Sequence, residues 1–453
     1  MHIILLSGGS GQRLWPLSND SRSKQFLKLL RNENTNELES MYQRTCRKLQ
    51  ELGLEKNLII TANIGQKDLL ESQQIFEVPC IFEMERRDTF PAIALANSYL
   101  VDVQHVLGDE VVVVCPIDTY ANDEFYMAIK KLATIFEKSN ANIGLLGVKP
   151  TYPSAKYGYM IPASIHRDYS QVDYFVEKPS EEVAGSLIQK GALWNCGVFA
   201  FRAKYMHDIM KQLSHQAVTY NWLQQNYHSI PKISFDYAVV EKEQNIIAVE
   251  YEGPWKDLGT WNTLTEEVDT KVIGKGLLSH DSTNTHIINE LGIPVNGMGL
   301  HNMVVVASPE GILVSDKNES HRLKEFNNTK NGRPMFEERR WGYYQVLDFV
   351  SMDNGQKALT KRLTILKDKN ISYQKHLKRS EVWTILSGKA EFVLNDVKRI
   401  VGPGDILVIN KEDKHGIKAL EETEIIEVQL GTELIEEDII RLEMDWSNLV
   451  AQL

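Results

Sequence analysis

The first 260 residues alternate short β-branched runs with longer amphipathic stretches. Apolar runs stand at Ile3–Ser7, Asn57–Ala62, Glu110–Cys115 and Asn142–Val148. Between them, ESMYQRTCRKLQEL and AIALANSYLVDVQHVL carry apolar residues at helical spacing. Strands alternating with helices predict an α/β fold whose mostly parallel sheet is covered by helices. Ligands bind such sheets at the carboxyl ends of strands. From about Gly276 to Asp316 the pattern changes to short strands with Asn and Gly turns, which predicts a small β element. The polar stretch from Glu319 to Met335 reads as a connector. Beyond Arg340, runs such as KRLTIL, VWTILSG, AEFVL, DILVIN and TEIIEVQL predict a small antiparallel barrel or sandwich, with a closing helix over EEDIIRLEMDW. The expected division is residues 1–268, a β element and connector at 269–335, and a barrel at 336–453.

Composition narrows the class. Hydrophobic residues at 43% and charged residues at 25% are ordinary for a globular chain and exclude disorder as the main state. A formal charge of −11 lacks the basic field that nucleic acid or an anionic membrane requires, so a polyanion must be held at a local site. The four cysteines, Cys46, Cys80, Cys115 and Cys196, form no CxxC pair, which fits reduced thiols in a cytoplasmic protein. No apolar run approaches the length of a membrane span, and MHIILLSGGS lacks a basic leader with a cleavage site, which predicts a soluble protein with no removed segment.

The strand Ile3–Ser7 runs directly into GGSGQRLWPLS, placing Gly8, Gly9 and Gly11 where a sheet protein holds a ligand. Glycine lets backbone N–H groups approach phosphate closely, although a bare strand-to-helix turn needs glycine as well. The dinucleotide fingerprint fails because Leu14 stands at the third glycine position, and no GxxxxGK[ST] loop is present. Arg13 and Lys24 follow within the same region, and two cations there suit the charge that develops on a leaving phosphate. Asp118 follows the apolar strand and Asp257 sits in another strand-end turn, a pairing that suits Mg²⁺. Singly, each would be an ordinary turn or capping residue.

GGSGQRLWPLS followed by KQFL closely resembles the signature of the sugar-1-phosphate nucleotidylyltransferases, and the Trp-Pro pair resembles the branch that joins GTP to mannose-1-phosphate. Further matching segments follow in order: RRDTFPAIALA, CPIDTY, GVKPTYPSAKYGYM, FVEKPS, WNCGVFAFR, SFDYAVVEK and WKDLGTW. The resemblance implies a Rossmann-like nucleotidyltransferase domain that makes GDP-mannose and pyrophosphate. It implies that Arg13 and Lys24 act on the triphosphate, with Ser7, Gly8, Gly9, Ser10, Gly11, Arg87, Asp88 and Thr89 around the nucleotide. It implies that Tyr157, Gly158, Glu177, Lys178 and Asn195 face the sugar phosphate, and that Asp118 and Asp257 hold Mg²⁺. Two departures from the pattern, Asp88 for Asn and Thr119 for His, bear on nucleobase preference.

The stretches QKHLKRSEVWTILSG and GDILVINKEDKHGI resemble the cupin fused to some of these enzymes, a type II mannose-6-phosphate isomerase. The resemblance maps His376, Glu381 and His415 to ligands of a transition metal. Lys378 and Val382 stand where that pattern has histidines, so a cation is expected in a ligand position, repelling the metal. Three readings follow: a guanylyltransferase with a metal-poor barrel, a bifunctional transferase and isomerase, or a silent sugar-nucleotide-binding subunit. Retention of Gly8, Gly9, Gly11, Arg13, Lys24, Asp118 and Asp257 favours the first over the third. A homo-oligomer is compatible with each.

Overall fold

The computed structural model describes residues 1–8, 12–19, 21–214, 218–329, 333–436 and 438–453. Gly9, Ser10 and Gly11 therefore lie outside the described residues. The chain divides into two compact units. The first comprises Met1–Arg13, Ser23–Lys67 and Gln73–Asp269, and the second Leu14–Arg22, Asp68–Ser72 and Thr270–Leu453.

The first unit is built on a nine-stranded sheet. Its amino-terminal half is parallel: Cys80–Glu83, Leu58–Asn63, His2–Ser7 and Val111–Pro116 lie side by side. The last three are buried almost throughout, which is why they read as unbroken apolar runs, whereas Cys80–Glu83 at the edge alternates. Leu193–Arg202 then enters antiparallel between Val111–Pro116 and Ile143–Val148, and Ile246–Tyr251 restores a parallel pairing on the far side. Tyr159–Ile165 and Ser170–Val176 form an antiparallel edge. Helix Thr89–Asp102 is apolar nearly all round and packs on the parallel strands, while helix Asp123–Glu137 packs on Ile143–Val148 and Ile246–Tyr251. Among the described residues no helix is long and apolar enough to cross a membrane.

The second unit contains a four-stranded sheet of Val272–Ile273, His286–Asn289, Met303–Ser308 and Gly311–Asp316. A 3₁₀ run, Ser320–Thr329, lies within the stretch expected to be a plain connector. Two antiparallel sheets follow, of six and five strands, and close over one core that includes Trp383, Phe392, Ile417 and Ile425. The closing helix expected over EEDIIRLEMDW is replaced by a strand, Ile440–Glu443, paired with Asn370–Lys375. The helix begins only at Trp446, because the Asp445 side chain accepts from the Ser447 and Asn448 N–H groups and fixes the N-terminus there.

Leu14–Arg22, the second half of the glycine-loop signature, belongs to this second unit. Arg22 is buried and donates from Nη1 to Glu290 at 2.9 Å, while its Nε lies 3.5 Å from Glu338. Its guanidinium also sits 5.1 Å from the Phe336 ring centroid. Asn19 donates to Glu310, and the same carboxylate accepts from the Met335 N–H. Arg22→Met removes the guanidinium that Glu290 accepts from, and is expected to destabilise this unit by about 3 kcal/mol, the lower end for breaking a buried pair. Urea unfolding of the full chain checks this; an unchanged midpoint would contradict the role given to Arg22.

Candidate active site

Two carboxylates distant in sequence converge through one short pairing. Thr119–Ala121 runs antiparallel to Trp255–Asp257, and Asp257 lies opposite Thr119. That register sets Asp257 beside Asp118, which follows the buried strand Val111–Pro116. Lys24 bridges them, its Nζ 2.9 Å from Asp118 Oδ2 and 2.7 Å from Asp257 Oδ1. Lys24 opens a 3₁₀ turn anchored by the buried Gln25 and Phe26, and Gln25 Nε2 donates to Ser7 Oγ and to the Gly8 carbonyl. Burial alone would favour neutral lysine, but the two carboxylates more than offset it and raise the pKa. Burial likewise works to raise Asp257, yet Lys24, then Arg13 and Lys156, hold it below the ordinary carboxylate range. Gly259 leaves room here: a Cβ would stand 3.2 Å from both Asp257 oxygens and 3.4 Å from an Arg13 nitrogen.

The donor set fits a hard divalent cation. It is all oxygen, the ligand type such a cation takes. Asp118 Oδ1 and Asp257 Oδ2 are the oxygens not engaged by Lys24.

Asp118 and Asp257 also line a cavity of about 220 Å³, together with Lys156, Tyr157, Glu177 and Asn195. Gly158 is in its wall, and a Cβ there would fall 2.4 Å from the Phe175 ring and 2.6 Å from Glu177 Oε2. Glu177 accepts from Lys178 Nζ at 2.6 Å. Burial raises the Glu177 pKa, although Lys178 opposes the shift. Asn195 is fixed in orientation: its Oδ1 accepts from the Gly197 N–H at 3.0 Å and its Nδ2 donates to Asp236 Oδ1 at 2.8 Å. Tyr157 stacks edgewise on Trp255, ring centroids 5.3 Å apart.

Arg87, Asp88 and Thr89 do not line this cavity. Arg87 donates to the Ile230 carbonyl, Thr89 Oγ1 accepts from the Phe235 N–H, and Asp88, at φ +68°, caps helix Thr89–Asp102. Sequence reading missed Asp236 and Lys156 as lining residues. Ser234-Phe235-Asp236 reads as a helix start, and it is one, since Ser234 Oγ accepts from the Tyr237 N–H. Nothing local marks Asp236 as cavity-facing.

In the barrel, His376, Glu381 and His415 are buried and offer ligand atoms within 4.8 Å of one another. Each histidine Nδ1 lies against a backbone carbonyl, Asp438 at 2.6 Å and Asp413 at 3.0 Å. A carbonyl only accepts, so each ring carries a proton on Nδ1 and directs Nε2 toward Glu381. His415 Nε2 is buried without a hydrogen-bond partner. This set fits a transition metal. The expectation that Lys378 places a cation among the ligands is wrong: its Nζ is on the surface, bonded to Glu433 at 2.6 Å. Arg379, Glu381 and Trp383 point inward on strand Arg379–Ser387, so Val382 points outward by the two-residue period and removes nothing from the interior. The cation that does approach is Arg379, whose Nε donates to Glu381 Oε1 at 2.8 Å.

These features stand on an α/β fold with an appended cupin, and comparison gives the class its name: the chain belongs to the nucleotidyl transferase family, whose profile matches residues 2–271. The profile for the mannose-6-phosphate isomerase C-terminal domain matches residues 326–444. The mannose-1-phosphate guanylyltransferase RfbM of Salmonella typhimurium is 28% identical, over 98% of both chains. The xanthan biosynthesis protein XanB of Xanthomonas campestris is 30% identical, over 97% of both chains. The alginate biosynthesis protein AlgA of Pseudomonas aeruginosa is 29% identical, over 97% of this chain and 96% of its own. A Thermus thermophilus protein described as a mannose-1-phosphate geranyltransferase has a crystal structure matching 72% of this chain and 97% of its own, at 27% identity and a TM-score of 0.60.

Gly158→Ala drives a methyl group into Phe175 and the Glu177 carboxylate. It is expected to cost about 1–3 kcal/mol, the range for overpacking, measured by thermal or urea unfolding; full retention of stability would show that the wall yields.

Proposed function

We propose that this chain transfers GMP from GTP to mannose-1-phosphate. An oxygen of the sugar phosphate attacks the α-phosphorus, the bond from that phosphorus to the bridging oxygen breaks, and pyrophosphate leaves. The observation that carries the reading is Lys24 held between Asp118 and Asp257, two carboxylates that line a polar cavity. A phosphate oxygen is already a nucleophile, so the chain's contribution is alignment and charge neutralisation rather than a covalent intermediate. In this reading Arg13 and Lys24 meet the triphosphate, Ser7 and Gly8 with the glycines that follow receive its phosphates, and Arg87, Asp88 and Thr89 lie toward the base. Tyr157, Gly158, Glu177, Lys178 and Asn195 receive the sugar phosphate. Enzymes of this class use a divalent metal; we assign Mg²⁺ to Asp118 and Asp257, where it would screen charge on the phosphates. Residues 1–268 carry this activity.

Purified protein with Mg²⁺ is expected to release pyrophosphate selectively from GTP with mannose-1-phosphate, when each common nucleoside triphosphate is paired in turn with mannose-1-phosphate and glucose-1-phosphate. Asp118→Asn and Asp257→Asn should each lower kcat at least about 100-fold, as loss of transition-state charge stabilisation does. Release with a different pair would move the substrate assignment, and no release with any pair would overturn the reading.

A second activity in the barrel, interconversion of mannose-6-phosphate and fructose-6-phosphate, is favoured by the convergent His376, Glu381 and His415. The full chain is then expected to retain Zn, Mn or Fe through purification and to lose it in His415→Ala, read by elemental analysis. Equal metal content in both proteins would refute a metal centre there.

A further inference from the structure

We propose that Asp236 is a sugar-phosphate-binding and positioning residue of the transferase site: it holds Asn195 in its working orientation and offers its own carboxyl to a hydroxyl of the hexose. The inference rests on the transferase reading and adds to it a residue of the matching segment SFDYAVVEK to which no role had been given.

Three observations carry it. Asp236 lines the same cavity as Glu177, Asn195 and the two metal-site aspartates. Its Oδ1 accepts from Asn195 Nδ2 at 2.8 Å, while the Gly197 N–H holds Asn195 Oδ1 at 3.0 Å. An amide anchored at both ends cannot flip, so the direction in which Asn195 donates to a ligand depends on Asp236. The hydrogen bond from the Phe235 N–H to Thr89 Oγ1 and the Ser234 cap fix the short helix Phe235–Ala238, and hence the backbone that presents Asp236.

A hexose needs both donors and acceptors around its hydroxyls, and two neighbouring acidic groups supply both only if one retains a proton. The charged groups facing Asp236 are Glu177, Lys178 and Asp88, with Lys156, Asp118 and Asp257 around the same cavity. Burial, and then the nearby Glu177 carboxylate, push Asp236 up to about 7, while Lys178 opposes the shift. A group raised in this way is neutral below its pKa and charged above it. Between pH 6.5 and 8 Asp236 therefore gains a negative charge, which repels a sugar-phosphate dianion, and KM for the sugar phosphate rises with pH.

The test measures KM for mannose-1-phosphate and for GTP separately, from pH 6 to 8.5, in the full-length wild type, Asp236→Ala and Asp236→Asn. Asp236→Ala loses both the hydroxyl contact and the anchor on Asn195, and is expected to raise KM for mannose-1-phosphate about tenfold at every pH while leaving KM for GTP within twofold. Asp236→Asn stays neutral and can still accept from Asn195, so its sugar-phosphate KM should follow a flatter pH profile than the wild type. Titration of the substrate's own phosphate is common to all three proteins and cancels in the ratio. Equal sugar-phosphate KM values in wild type and Asp236→Ala overturn the proposal. So does a parallel rise of both KM values, the mark of a structural defect, and so does a wild-type pH profile in Asp236→Asn. An inactive wild type overturns the transferase reading together with this inference, whereas an active wild type with an indifferent Asp236 overturns this inference alone.

Discussion

The candidate active site depends on a three-residue strand pairing. Without the register of Trp255–Asp257 on Thr119–Ala121, Asp118 and Asp257 would be two turn aspartates on separate segments. Together they would repel, and Lys24 is what makes their proximity tolerable: one buried ammonium meets one oxygen from each. Lys24 in turn is held by its own turn, through the buried Gln25 and Phe26. The sheet supplies rigid strand ends, the short pairing sets the distance, and the lysine sets the charge.

The elements legible in the sequence were those whose pattern has a single physical cause. A strand buried on both faces needs an unbroken apolar run, and the expected strands at the amino end match the observed ones to within one residue at each end. The expectation failed where local pattern and tertiary pairing disagree. IIRL in the last segment has helical spacing in isolation, but strand Asn370–Lys375 offers a partner edge, and an aspartate cap delays the helix to Trp446. The antiparallel entry of Leu193–Arg202 into the main sheet was likewise not readable, since a fully buried strand looks the same in either direction.

The sites divide in the same way. Asp118 and Asp257 stand out in the sequence as carboxylates at strand ends, and the structure brings the two together on Lys24. Asp236 does not stand out, because its significance comes from an amide that lies 41 residues away in the chain and 2.8 Å away in space. Lys378 misleads in the opposite sense. The resemblance to the cupin pattern places it among metal ligands, whereas the alternation of the strand and the preceding turn send it to the surface. Side-chain direction decides whether a residue takes part in a site, and spacing gives direction only after the element's exact start is known.

The allocation of Leu14–Arg22 to the second unit has a consequence for how such a protein can be taken apart or recombined. The chain passes between the two units several times, so the unit boundary is not a single point in the sequence. A cut near residue 269 removes Glu290, Glu310 and Glu338 and leaves Asn19 and Arg22 behind without them. Exchange of the barrel-bearing half with that of a relative would therefore have to carry Leu14–Arg22 along with it. In inheritance Leu14–Arg22 and the distant β-rich half form one cassette, although more than two hundred residues of chain separate them.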